Sequence, residues 1–259
     1  MTRPASTGSA LQKTRRGLLL PVAGVVLATV ATLLLAGAGI GTRIGLWHFR
    51  TGFALLGYAA YCGGATFLVG ATAAVYSYRI RRTMGLILAL VAVVVGAAIA
   101  VVPVSWKLAA QRLPRIHDIT TDITTDITNP PAFVAVLPLR KDAPNPATYG
   151  GPEVALMQRT AYPDIKTVVI ELPQGDAYEA ALGAARAMGW QIVAALPGEG
   201  RIEATDTTFW FGFKDDVVIR IAPAGNLSLV DIRSVSRVGL SDVGTNARRI
   251  RAFVKKLTG

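Results

Sequence analysis

Residues 217–234 read VVIRIAPAGNLSLVDIRS, and this stretch predicts a β-hairpin. Two runs rich in Val and Ile flank Gly225-Asn226, a pair that suits the two-residue loop of a hairpin with glycine in the first position. A two-residue loop fixes the register. We therefore expect Arg220 opposite Asp231 and Val218 opposite Arg233.

The two faces of this hairpin differ in chemistry. Alternate side chains of a strand lie on the same face, which places Ile219, Ile221, Val230 and Ile232 in a core. The opposite face is a charged ladder with two open interpretations: solvated ion pairs across the strands, or a binding site for an anionic ligand. The residues expected on this charged face are Asp216, Arg220, Asp231, Arg233 and Arg237.

Further strand and helix patterns surround the hairpin. Asp176 with Glu179 is typical of a capping box and predicts a helix that ends at Met188. A second amphipathic helix is expected from Asp242 to Leu257. Short turns between consecutive strands favour an antiparallel sheet, so we predict an α+β fold with about five strands and two helices on one face. The strands are expected at 166–172, 190–195, 201–213, 217–222 and 227–238.

The first part of the chain is apolar. Of all residues, 52% are hydrophobic and 17% are charged, and the stretches 17–41, 52–76 and 85–104 contain no charged side chain. About 20 apolar residues cross a bilayer, so three transmembrane helices are expected. The first stretch is longer than the apolar core of a signal peptide, about 7 to 15 residues, which favours a retained span over a cleaved signal.

Basic residues set the expected orientation. Seven lie in the N-terminal tail or the second connection, and two lie in the first connection. This asymmetry predicts a bacterial inner-membrane protein with a cytoplasmic N-terminus and a periplasmic C-terminal domain. From residue 105 onwards, the chain has 18 basic and 16 acidic residues, so this part is nearly neutral. The net charge of +11 for the whole chain therefore does not indicate nucleic-acid binding. We expect a cytoplasmic tail (1–16), a three-helix transmembrane region (17–104), an extended arm (105–165) and an extracytoplasmic α+β domain (166–259).

Small residues four positions apart indicate that the spans pack closely. No Asp, Glu, Lys, Arg or His lies inside a predicted span, which disfavours a transporter or a proton channel. The single cysteine, Cys62, can form no disulfide within the chain. The small-residue pairs are Gly37 and Gly41, Ala60 and Gly64, and Gly96 and Ala100.

Alternation along the strands also brings polar side chains to the core side. A buried carboxylate needs a hydrogen-bonding partner, so these side chains are expected to form one network. The network is either a structural cluster that holds the last helix on the sheet or the floor of a binding pocket. Its expected members are Asp206, Thr208, Ser234, Ser236 and, on the inner face of the last helix, Asn246.

Two surface features have both a structural and a binding interpretation. Phe209, Phe211 and Phe213 form an apolar patch for a partner or for lipid, unless the arm covers them. A basic run on the outer side of the last helix either stabilises its C-terminus or contacts anionic lipid headgroups. The run comprises Arg248, Arg249, Arg251, Lys255 and Lys256.

Three motifs resemble a bacterial protein family. They are IHDITTD at 116–122 with Asn129-Pro130-Pro131, IEATDTTFWFGFKDDVVIRI at 202–221, and VDIRSVSRVGLSDVGTNARRIRAF at 230–253. Together they are similar to the domain-of-unknown-function family 1499 over residues 105–259. The resemblance implies a membrane anchor ahead of the domain and no established activity. The repeated Thr-Asp-Ile-Thr lengthens the gap between His117 and the Asn-Pro-Pro motif relative to the family pattern.

The exported domain carries few groups for catalysis. It has no cysteine and one histidine, His117, and the chain has no HExxH or GxSxG motif. Asp118, Asp122 and Asp126 lack the glycine turn of a calcium loop, so we expect no metal and no cofactor.

These observations favour a non-catalytic, membrane-tethered binding or envelope-assembly module. Its expected partners are membrane lipids and envelope proteins, and not nucleic acid. The alternative is an envelope hydrolase that uses Asp206 or the pair Asp215 and Asp216 as acid and base, because such a role needs a carboxylate in an open cleft.

Overall fold

A computed structural model describes residues 18–123 and 130–259, and the chain divides after Leu108 into two compact units. The first unit contains the helices α1 (Leu19–Arg43) and α2 (Phe49–Arg79) and most of α3 (Thr83–Arg112). All three are long and apolar enough to cross a membrane. The three predicted spans are therefore helices.

Small residues bring α2 and α3 close together. A Cβ atom at Gly63 would lie 2.9 Å from the backbone of Gly96 and Ala100, so only glycine fits there. The predicted contact at Gly96 is confirmed, but the prediction for Gly64 is wrong, because a Cβ there would meet open space. The buried side of α2 has alternating steps of four and three: Gly52, Leu56, Ala59, Gly63, Thr66, Gly70, Ala73 and Ser77.

The second unit is built on an antiparallel sheet of six strands, which confirms the α+β prediction. The order across the sheet is β1-β6-β5-β4-β3, and β2 pairs with the same edge of β6 as β1, further along that strand. The strands are β1 (Asp118–Thr120), β2 (Val168–Ile170), β3 (Gln191–Leu196), β4 (Arg201–Thr207), β5 (Lys214–Ala224) and β6 (Leu227–Ser236).

The central hairpin has the predicted register. Arg220 pairs with Asp231 and Val218 with Arg233, and Gly225 begins the turn with φ +66°, in the left-handed region that favours glycine. The predicted strand 201–213 is wrong beyond Thr207. Residues 208–213 form a turn instead, in which Thr208 N donates to Phe213 O at 2.8 Å.

Two helices, α5 (Gln174–Ala187) and α6 (Thr245–Thr258), cover one face of the sheet as predicted. Phe253 of α6 is fully buried and stacks on Trp190, with the ring centroids 5.5 Å apart. The capping-box prediction is wrong: α5 begins after Pro173, and no side chain caps it. Asp176 lies in the first turn, where its negative charge interacts favourably with the helix dipole.

The predicted arm, 105–165, is not extended throughout. Besides the end of α3, it contains β1, a 3-10 helix (Leu137–Arg140) and the helix α4 (Gly151–Ala161). Gln158 of α4 is fully buried, and its amide exchanges two hydrogen bonds with the backbone of Thr120, at 3.0 and 2.6 Å. This glutamine therefore provides hydrogen-bonding partners for the backbone N–H and C=O groups of Thr120 at the edge of β1.

Candidate functional site

The charged face of the sheet lies beneath the chain segment 130–147. Phe133 and Val136 from this segment pack on Val218 and Val235 of the sheet. The expectation of a solvated ladder is therefore wrong. Most of its charged groups are buried, and buried charges need partners.

Arg233 is a buried cation of this face. Its guanidinium binds both oxygens of Asp118, at 2.9 and 2.7 Å, and donates to the carbonyls of Pro131 and Ala147. The guanidinium also lies over the ring of Tyr149, 5.4 Å from its centroid. Burial and the nearby Asp118 raise the pKa of Tyr149 to about 12, so this tyrosine stays neutral.

Asp216 accepts from three side chains. Arg140 donates at 2.6 Å, Thr205 at 2.7 Å, and Arg237 binds both carboxylate oxygens at 2.8 Å. Burial alone would raise the pKa of Asp216, but the hydrogen bonds from Arg237, Thr205 and Arg140 outweigh it and hold the pKa below its usual value. Asp216 is therefore a fixed anion that binds Arg140 of the arm.

The remaining two predicted residues of this face, Arg220 and Asp231, form an ion pair at 3.1 Å. Arg220 also binds Asp122, and Asp231 accepts from Thr121 at 3.0 Å and Thr167 at 2.7 Å. Asp118 and Asp122, two of the residues weighed for calcium, thus bind arginines. The third, Asp126, lies outside the described residues.

Sequence reasoning missed Glu203, which lies on the same face and is fully buried. Its carboxylate accepts from three consecutive backbone N–H groups of the arm, at Val134, Ala135 and Val136, with distances of 3.0 to 3.1 Å. Arg201 also binds this carboxylate. Strand alternation would have placed Glu203 on the charged face, but nothing local identifies its partners.

A second polar cluster lies on the opposite face, between the sheet and α6. Three predicted members are joined: Ser234 donates to Asn246 at 2.7 Å, and Asn246 donates to Ser236 at 3.0 Å. Arg249, which the sequence places on the outer side, is buried here instead. It binds Asp206 at 2.8 Å and Asp215 at 2.6 Å. We call these six residues the Arg249 cluster.

Asp206 and Thr208 differ from the prediction. Asp206 reaches the cluster through Arg249, and 31% of its side chain is exposed because β4 ends at the next residue. Thr208 lies beyond the strand, and its hydroxyl accepts from the N–H of Phe213 at 2.9 Å.

Asp242 adds a negative charge near this cluster. Burial, together with the neighbouring Asp215, raises the pKa of Asp242 above its usual value, although the backbone N–H groups of Asn246 and Gly244 oppose the shift. These N–H groups donate to the carboxylate at 2.6 and 2.8 Å. Asp242 thereby caps the start of α6.

An open groove of about 350 Å³ lies between α6 and the segment before β2. Its floor is apolar, with Ile165, Ile250 and Val254. The rim carries Lys166, Arg251 and Lys255 as cations and Asp164 as an anion. Thr121 and Thr258 complete the lining. Arg251 holds Asp164 through two hydrogen bonds of 2.6 and 2.7 Å.

A protein-family comparison matches residues 122–257 to a protein of unknown function family, DUF1499. The chain belongs to this family. The match confirms the resemblance seen in the sequence motifs. The matched residues include the Arg249 cluster and the charged face with its partners, except Asp118 and Thr121. A comparison with curated proteins gives no match.

The aromatic run of the DUF1499 region is divided by the turn at 208–213. Phe211 is buried and stacks on Phe213, with centroids 5.3 Å apart, whereas Phe209 is 91% exposed. The prediction that Phe209, Phe211 and Phe213 together form an exposed patch is therefore wrong. Of these three, Phe209 alone is strongly exposed. His117 joins the Arg249 cluster through its backbone carbonyl, which accepts from Asn246 at 2.9 Å.

Proposed function

We propose that this protein is a membrane-tethered, non-catalytic binding module of the bacterial cell envelope. The N-terminus lies in the cytoplasm, and the DUF1499 domain lies in the periplasm. Three long apolar helices support the tether, and the excess of basic residues in the tail and the second connection supports this orientation.

The observation that carries the proposal is the groove beside α6. A concave surface with an apolar floor and a few charged groups at its rim is typical of a ligand site. Lys166 and Lys255 add two positive charges to the rim, beyond the Arg251–Asp164 pair. The groove therefore suits a ligand that combines an apolar body with an acidic group.

The geometry favours binding over hydrolysis. Asp215 and Asp216 are almost fully buried, and both are held by arginines. Asp206 is partly open, but its nearest partner carboxylate, Asp215, shares the same Arg249. An acid–base pair needs two carboxylates that reach the substrate, and these three carboxylates act as acceptors for arginine.

Crosslinking in intact cells tests the proposal. A photoreactive phenylalanine at Thr258 labels whatever occupies the groove, and the same residue at Asn226, in the exposed β5–β6 turn, is the control position. Lys255→Glu inverts one charge of the rim, whereas Lys256→Glu makes the same change one residue away, outside the lining.

We expect a crosslinked product at position 258 that Lys255→Glu removes and Lys256→Glu keeps. A product that survives Lys255→Glu, or equal labelling at 226 and 258, would contradict the groove as a binding site for an acidic ligand. Hydrolysis of an envelope component that is lost in Asp206→Asn would favour the enzyme instead.

A further inference from the structure

The chain enters the second unit at one end of the sheet. The segment 113–117 follows α3 directly and is bonded to the loop between β6 and α6. Ile116 O accepts from Asp242 N at 3.2 Å, and Pro114 O accepts from the Ser241 hydroxyl at 3.3 Å. His117 O accepts from Ser236 N at 3.0 Å. We call this the entry end, formed by residues 113–117, 208–213 and 237–244.

Large apolar side chains are exposed at the entry end. Phe209 is 91% exposed and Leu240 is 77% exposed. Their loops lie side by side, because Arg237 N donates to Lys214 O at 3.0 Å. Leu139 of the arm, 52% exposed, reaches the same end, since Arg237 donates to its carbonyl at 2.7 Å.

The loop that carries Phe209 is held in shape. Two hydrogen bonds between Thr208 and Phe213 close it, and the Phe211 ring anchors it in the protein. Phe209 is therefore presented by a fixed turn. Exposed apolar side chains grouped at one end of a folded protein indicate an interaction surface.

The short chain between the membrane and the entry end favours a lipid surface as the occupant. Trp106 is typical of the membrane interface, and α3 ends six residues later at Arg112, which corresponds to about 9 Å of helix. The headgroup layer itself is about 5 to 7 Å thick on each side. The entry end is thus tethered within reach of the headgroups.

Charge at and beside the entry end agrees with this occupant. Arg115 of the entry end is exposed, as are Arg112 and Lys214, which adjoin it in the chain, and anionic headgroups attract such cations. We propose that the entry end is a membrane-contact surface that inserts Phe209 and Leu240 into the interfacial layer of the bilayer. The contact restricts the orientation of the domain on the membrane and goes beyond the proposed groove function.

The test uses the full chain in nanodiscs that contain phosphatidylglycerol and phosphatidylcholine. Cys62→Ala removes the single cysteine, and a polarity-sensitive fluorophore is then attached at Phe209→Cys or Leu240→Cys. The matched control is Asn226→Cys, which lies in an exposed turn at the opposite end of the hairpin. A parallel set retains Cys62, with the unsubstituted chain as its labelling background.

We expect nitroxide-labelled lipid to quench the probes at 209 and 240 about twofold or more above the probe at 226, with a blue-shifted emission. Equal quenching at all three positions, or no quenching at 209 and 240, would overturn the proposal. In the latter case a protein partner becomes the candidate for this surface. Lower quenching in pure phosphatidylcholine would support the role of the exposed cations.

Discussion

Replacing Arg249 by methionine tests the buried ion pairs between the sheet and α6. Methionine keeps much of the apolar volume but leaves Asp215, whose side chain is 4% exposed, without its cation. Removing one partner of a buried ion pair costs about 3–5 kcal/mol. For a unit of about 150 residues, 1 kcal/mol shifts the Tm by about 2–4 °C, so we expect Arg249→Met to lower the Tm by about 6–20 °C.

Thermal unfolding of the full chain in detergent micelles, followed by near-UV circular dichroism, measures this shift. Arg248→Met is the matched control, because Arg248 is exposed and its guanidinium donates to neutral acceptors, Val243 O and Thr245 Oγ1. Surface changes of this kind stay within about 0.5 kcal/mol. Adding Asp215→Asn to Arg249→Met removes the uncompensated charge and should recover at least about 1 kcal/mol of the loss.

Two results would refute this reasoning. One is an Arg249→Met variant whose Tm lies within 2 °C of the Arg248→Met control. The other is a double variant that is less stable than Arg249→Met alone, because the loss would then not arise from an unpaired charge.

Three further predictions concern the arm, the start of α6 and the topology. Glu203→Ala leaves three backbone N–H groups of the arm without their acceptor. Limited proteolysis should therefore cleave residues 130–147 faster in this variant than in the control Glu199→Ala, which removes an exposed partner of the same Arg201. Because the pKa of Asp242 is raised, the folded protein holds this proton more tightly than the unfolded chain, and stability falls as the pH rises from about 4 through the raised pKa. The Tm of Asp242→Asn relative to the parent should therefore decrease on acidification from pH 7 to pH 4.5, and an unchanged difference would contradict the shift. Alkaline phosphatase fused after Gly259 should be active in cells, whereas a fluorescent cytoplasmic reporter at the same position would contradict the orientation.

Local signals explain what the sequence predicted correctly. The Gly225-Asn226 turn determined the register of β5 and β6, because both partners of each pair lie within a few residues of the turn. The same reasoning failed at 208–213, where aromatic residues are typical of a strand but Gly212 has φ +69° and the chain turns. At 208–213 the turn therefore outweighs the preference of the aromatic side chains for β-strands.

Non-local contacts explain what the sequence could not give. Glu203 binds backbone groups that lie 67 to 69 residues away, and Gln158 binds the backbone of a strand 38 residues before it. Gln158 also interrupts the apolar spacing of α4, which hid this helix. The buried position of Arg249, in contrast, follows from local spacing. Arg249 lies three residues after Asn246 and four before Phe253, on the same helix face as both.

Buried charged side chains hold a different element on each face of the sheet. The arm is held by Asp216, Glu203 and Arg233, and α6 is held by Asp206 and Asp215 through Arg249. Buried ion pairs have a large desolvation cost, so they favour one arrangement rather than adding much net stability. Because both faces are occupied in this way, the two proposed contact sites, the groove beside α6 and the entry end, lie on surfaces that neither element covers. Substitutions in the clusters should therefore change folding first, whereas Lys255→Glu and Phe209→Cys should change binding or membrane contact with folding intact.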